Sequence, residues 1–372
     1  MQIICESKPL LAALNAVSKI VDPKSAMPAL SLALFSFDDS TKTVRVSGKS
    51  HDCAMTRAVT AEDVEECGAF MVEPRDLASR VSACGTGSVR LVVDGTKLSV
   101  FAQGTRRRFA LRIINDESPI KELDQPSLFE TSAAKLGDYV RSAMASVSLD
   151  VTRPHVNSML LMFRERSIAC AVSTNGHWLT KIGDATKRKK GSKDSVDSFD
   201  VLIGAPGLAS IVKLCDELGS DEDISVDYDS KALRIGHASA TLELRIVDAE
   251  FPPFEAVIPP LKGKMVAMPR ARTRDMVSSA AVAPNQHGGI TIEIGDGELA
   301  ARGVNPEKGE AYDVEAVTYD GDKYVAGFGG KYLADALSIG EDDEVEAYFA
   351  NELSPLALKY ADRIAVVMPM KL

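Results

Sequence analysis

At 372 residues, 45% of them hydrophobic, the chain is long enough for two or three domains of ordinary size. Its net charge of −10, from 43 basic and 53 acidic residues, argues against wrapping nucleic acid over the whole surface, so any such role must rest on local charge. The longest apolar runs, such as MPALSLALF (27–35), fall far short of the roughly 18–20 residues that span a bilayer, and MQIICESKPLL has neither part of a signal peptide. The expectation is a soluble, cytoplasmic protein with no membrane partner.

The elements, taken in order, repeat with a period of about 124 residues, one third of the chain. QIICE (2–6) reads as a strand and leads into a helix over 7–21, where Leu10, Leu11, Leu14, Val17 and Val21 follow helical spacing. Strands LSLALFSF, TVRVSG, AMTRAVT and AFMVEP follow, then a helix over 74–84 that closes at Gly85. SVRLVVD, KLSVFAQ and RRFALRII end the first set. The second set runs LFETS, a helix over 133–147, NSMLLMF, SIACAVST, WLTKIGD, FDVLIGA, a helix over 206–218, DISVDYD, KALRIGH and ATLELRIV. The third runs KMVAMP, a helix over 270–283, GITIEI, ELAARG, YDVEAVTY, YVAGFGG, a helix over 331–340, DEVEAYFA, PLALKYA and RIAVVMPMKL. Each set thus predicts two helices and eight strands, an α+β layer arrangement used three times. Linkers near 124–127 and 258–264 divide the chain into 1–125, 126–261 and 262–372. The apolar ending VVMPMKL becomes the last strand of the third set.

Chemical signatures are missing. The sequence has no GxSxG, no GxxxxGK[ST] and no HExxH. GFGGK (327–331) reads as a tight strand-to-helix turn, and GDGE (295–298) as a hairpin turn. The six cysteines, at 5, 53, 67, 84, 170 and 215, form no CxxC and predict buried free thiols, with no metal and no cofactor. A non-enzymatic protein is expected, although an active site need not announce itself in a motif.

The threefold repeat, together with LLAALNAVSKIV, RPHVNSMLLMF (153–163), STNGHWLTKI (173–182), EFPPFEAVIP (250–259) and VVMPMKL, resembles the bacterial sliding clamps, the beta subunits of DNA polymerase III. The likeness runs the whole length in order. It implies three domains of the clamp fold per chain and a head-to-tail homodimer closed into a ring. Duplex DNA would be encircled without sequence specificity, with helices lining the hole. Replicative and repair DNA polymerases and a clamp loader would be partners.

The predicted helices and their flanks carry eleven basic and eight acidic residues, while the rest of the chain sums to −13. A weakly positive lumen suits sliding, because each neutralised phosphate adds salt-dependent grip. The candidate DNA contacts are Lys8, Lys19, Lys24, Arg75, Arg80, Lys135, Arg141, Arg153, Lys213, Arg270, Arg272 and Arg274; of these, Lys24 and Arg153 lie in loops that the resemblance places near DNA. An ordinary solvated helix face explains any single lysine equally well. The run KRKKGSK (187–193) reads as a solvated loop that could also touch phosphate.

The resemblance further implies a hydrophobic peptide-binding cleft. Its deep part would use Val156, Thr174, Gly176, His177, Trp178, Leu179, Pro252, Val257, Val366 and Met368. Its shallow part would use Arg153, His155, Ser354, Pro355, Pro369 and Met370. Trp178, the only tryptophan, and the pair Pro154–His155 depart from the family pattern; Trp178 would enlarge the apolar wall or partly fill the pocket. Ring closure would pack Phe109 and Leu111 on Val282 and Ala283 of a second copy. The competing reading is a clamp-fold interaction scaffold that no longer loads on DNA.

Overall fold

The computed structural model describes residues 1–25, 27–115, 118–184, 198–219, 221–262 and 264–371. They form two compact units: Met1–Ala133 with Glu217–Ile246, and Ala134–Asp216 with Val247–Leu372.

The first unit holds a five-stranded and an eight-stranded sheet with helices α1 (Ser7–Val17) and α2 (Pro74–Cys84). Leu10, Leu14 and Val17 are fully buried along one stripe of α1. Pro74 opens α2, where the Glu73 carboxylate accepts from Asp76 N–H, and Gly85 ends it at φ 86°. The second unit holds an eight-stranded and a four-stranded sheet with α3 (Ala133–Ala143), α4 (Ala205–Glu217), α5 (Arg270–Ala280) and α6 (Gly330–Ala336). The predicted order of helices and strands is present in all three thirds.

Each eight-stranded sheet is shared by consecutive repeats. In the first unit, Cys53–Thr60 pairs antiparallel with Ala240–Arg245; in the second, Trp178–Gly183 pairs antiparallel with Arg363–Val367. The last strand of one repeat thus joins the third core strand of the repeat before it. Among the edge strands are Arg108–Arg112 in the five-stranded sheet and Gly309–Ala316 in the four-stranded one.

Several boundaries differ from expectation. The first helix stops at Val17, where Ser18 starts a turn, rather than at 21. Pro28 opens a short 3-10 turn over Pro28–Ser31, so the next strand begins at Ala33 instead of 30. A two-residue strand, Asp63–Val64, is added beside Gln2–Glu6. The last strand ends at Val367, so only the start of VVMPMKL lies in a sheet ladder. Cys67 is exposed, unlike the other five cysteines, because it lies just before a strand and hydrogen-bonds Asp39.

In the second unit the strand Glu298–Asn305 crosses the end of α5 at close range. A Cβ at Gly303 would stand 2.1 Å from the Ala280 carbonyl oxygen and 2.6 Å from that of Ala283. Backbone cannot swing aside as a side chain can. Gly303→Ala is therefore expected to cost about 1–3 kcal/mol of stability, read as a lowered urea midpoint at unchanged slope.

Candidate functional site

Hydrogen-bond register lines up Thr174, Leu179, Val366, Ala357 and Tyr348 as one row across the second eight-stranded sheet. The chain enters or leaves each of these strands within a few residues of that row. The loops carrying Arg153, His155, Gly176, His177, Met368, Ser354 and Pro355 therefore gather at one end of the sheet.

The turn at this end is written in STNGH. Asn175 Oδ1 accepts from the N–H groups of His177 (2.9 Å) and Trp178 (3.1 Å), an Asx turn. Gly176 takes φ 90°, and Thr174 Oγ1 accepts from Gly176 N–H while donating to the Trp178 carbonyl. The turn presents the His177 carbonyl, which accepts from Met368 N–H at 2.9 Å. Beyond it, Pro369 bridges to Phe328, and Met370 N–H donates to the Gly327 carbonyl at 2.9 Å. Backbone contacts thus order the tail after its strand has ended.

Strand alternation sorts the side chains. Leu179 and Val366 face one way and are buried with Cys170, Val172, Phe254 and Ala357. Phe251, Ile258 and Leu261 pack on this cluster from EFPPF and the segment after it, and the Phe251 and Phe254 rings meet edge-on at 6.3 Å. Burial pushes the Cys170 thiol up to about 12, so it serves as an inert hydrophobe. Val156 is buried, Pro252 is half-buried and Val257 is exposed. Met368, next outward after Val366 on the same side, is 38% exposed. An apolar floor with a pliable methionine at its rim suits an aliphatic or aromatic anchor.

Trp178 is not part of that floor. It pairs with Val367 and points to the opposite face, where it is 1% exposed. Every other buried member of its cluster lies between Val266 and Val367. The indole plugs the core of the third repeat instead of widening the pocket, and its Nε1 has no hydrogen-bond partner. The register explains the correction, since neighbouring residues on a strand face opposite ways.

The shallow side is more polar. Arg153 Nε pairs with Asp150 Oδ2 at 2.8 Å. Bonds from Thr152, and then from Arg153, hold the Asp150 carboxyl below its usual range. His155, Pro355, Pro369 and Met370 are half-buried, and Ser354 Oγ donates to Asn351 Oδ1 at 2.9 Å. One residue escaped the sequence reading. Tyr332 of α6 stacks on His177, with centroids 5.5 Å apart and planes 8° from parallel. Only its place after GFGGK hinted at it.

Among the described residues, the other eight-stranded sheet has no such floor. At the corresponding pairs, Cys53 meets Leu244 and Ala54 meets Glu243. Glu243 is tied to Arg234 Nε at 2.9 Å, so an ion pair stands where Val366 and Ala357 pair in the second unit.

The basic candidates are less free than their number suggests. Lys8, Lys19 and Lys24 are exposed and have no ion-pair partner among the described residues. Arg80 pairs with Asp76, Arg141 with Asp216, and Arg274 with Asp275. Arg75 donates to the Ser18 carbonyl and Arg270 to that of Asp342. Lys135 lies over the Tyr139 ring, and Lys213 is half-buried. Arg272 is wholly engaged by Asp313 and Glu315. The run 187–193 lies outside the described residues. Phe109 and Leu111 sit on the free edge strand Arg108–Arg112; Val282 is 74% exposed and Ala283 is buried.

Among the described residues, one group has ligand-like spacing, Asp38, Asp39 and Cys67. The Cys67 thiol donates to Asp39 Oδ1 at 2.9 Å, and that bond raises its pKa, which disfavours the thiolate a metal needs. No helix of the described chain is long and apolar enough to cross a membrane.

Residues 1–119 match the family model described as DNA polymerase III beta subunit, N-terminal domain, and 255–371 match its C-terminal domain. Curated relatives include the beta sliding clamps of Pseudomonas putida and Pseudomonas aeruginosa, each 26% identical with both chains covered completely. A crystal structure of the P. aeruginosa sliding clamp bound to griselimycin superposes with a TM-score of 0.89 at 26% identity, again over the whole of both chains.

Proposed function

The chain belongs to the DNA polymerase III beta subunit family, and from that premise we infer that it is a processivity clamp, encircling duplex DNA without sequence specificity and tethering polymerases through the cleft above. It assigns itself no reaction. The division 1–125, 126–261 and 262–372 is read as three clamp domains.

The sharing of sheets between repeats carries this reading. Twice within the chain, the last strand of a repeat pairs with the third core strand of the repeat before it. The same rule applied once more joins Arg108–Arg112 to Gly309–Ala316 of a second copy. The signs agree: Arg106, Arg107, Arg108 and Arg112 lie on or beside one edge, and exposed Glu310 lies at the start of the other. Exposed Val282 would add apolar area, with Phe109 and Leu111 opposite. A head-to-tail contact that closes by rotation makes a ring. Lys8, Lys19 and Lys24 would supply a light electrostatic contact to the duplex, and a clamp loader would open the closed edge.

Replicative and repair polymerases would enter the cleft with one or two apolar anchors of a linear segment, over Leu179, Val366 and Met368. The described residues form one such floor, so a dimer would offer two.

The test is topological. Clamp loaded on nicked circular DNA is expected to stay bound, and to be lost when the circle is linearised. Equal retention on both forms would overturn encirclement and leave an interaction scaffold.

A further inference from the structure

Arg272, in the first turn of α5, was expected from sequence to meet phosphate. Its donors are committed elsewhere. Nη1 and Nη2 grip Asp313 at 2.7 and 2.6 Å, Nε donates to Glu315 Oε2 at 2.8 Å, and Nη2 also reaches the Val314 carbonyl at 3.1 Å. Asp313 Oδ1 additionally accepts from Val314 N–H at 2.9 Å. All the acceptors lie on Gly309–Ala316, one edge strand of the four-stranded sheet.

The register shows which way these carboxylates point. Asp313 pairs with Ala301 and Glu315 with Leu299, both buried in the core under α5. Asp313 and Glu315 are therefore inward-facing charges on an edge strand, a common device against indiscriminate edge pairing. Two uncompensated carboxylates on one short strand would repel each other and pull toward water. A planar guanidinium can hold both at fixed geometry, which a lysine cannot.

We propose that Arg272 is a positioning residue for ring closure: by clamping Asp313 and Glu315 it holds Gly309–Ala316 flat and ready to receive strand Arg108–Arg112 of a second copy. It contacts neither DNA nor peptide. The inference rests on the head-to-tail dimer proposed above.

Sedimentation equilibrium of the full chain tests it. Arg272→Gln is expected to raise the dimer dissociation constant by roughly tenfold or more, as for other fixed charge pairs at interfaces. The salt dependence of DNA binding should keep its slope. Neutralising the whole triad, with Asp313→Asn and Glu315→Gln added, should restore dimerisation to within a few-fold of the parent, which a plain packing defect would not allow. An unchanged dissociation constant for Arg272→Gln overturns the proposal. A salt slope reduced by about one makes Arg272 a phosphate contact and overturns it equally. Ala110→Pro serves as the separate control. The Arg107 carbonyl and Ile113 N–H bond inward, so Ala110 between them offers its N–H to the free edge. If Ala110→Pro leaves the dimer intact, the head-to-tail reading itself fails. If it breaks the dimer while Arg272→Gln does not, only the role of Arg272 fails.

Discussion

Replacing Trp178 by alanine is expected to lower the stability of the second unit by about 3–5 kcal/mol, the range for emptying a large aromatic site in a packed core. The indole is 1% exposed and is the one member of its buried cluster contributed from before residue 266. Its neighbours come from several strands and from α5 and α6, so no single element can collapse into the space. Trp178→Phe should cost far less. It keeps much of the apolar volume and removes an indole N–H that has no partner, whose burial is itself unfavourable. Urea unfolding followed by circular dichroism separates the outcomes. A loss below about 1 kcal/mol for the alanine variant would mean that the indole lines an open pocket after all.

Deleting residues 368–372 is expected to weaken binding of a partner peptide by roughly a hundredfold or more, comparable to losing one or two anchor contacts. The deletion removes Met368 from the rim and cuts the bonds to the His177 and Gly327 carbonyls. It leaves the ladder intact, because the strand ends at Val367 and Trp178 still pairs with that residue. The two edge strands proposed to pair in the dimer, Arg108–Arg112 and Gly309–Ala316, lie elsewhere in the chain, so the dimer should survive. Fluorescence polarisation with a polymerase C-terminal peptide, alongside sedimentation, reads the two effects. A dissociation constant changed by less than a few-fold would remove the tail from the site. Loss of the dimer as well would make the segment mainly structural.

Local chemistry was legible in the sequence. The stripe of Leu10, Leu14 and Val17 and the cap at Gly85 each depend on residues a few positions apart. The threefold recurrence of these signals gave the fold class. What depends on register was not legible. Nothing around Trp178 says which face it takes, because a shift of one residue inverts a strand. Nothing in RARTRD says that Arg272 will meet carboxylates some forty positions away rather than solvent. Tyr332 reaches His177 only after two distant segments have folded against each other. Residues joined by resemblance fared unevenly for the same reason: Leu179 and Val366 share a floor, while Trp178, one position from Leu179, belongs to another core.

That burial has a spectroscopic consequence. Because the chain has a single tryptophan and it is sealed inside the second unit, intrinsic emission reports on one half of the molecule and is blind to the other. Circular dichroism sees both. Superimposing the two melting curves therefore measures whether the halves unfold as one cooperative body or in sequence, without a label and on the unaltered protein.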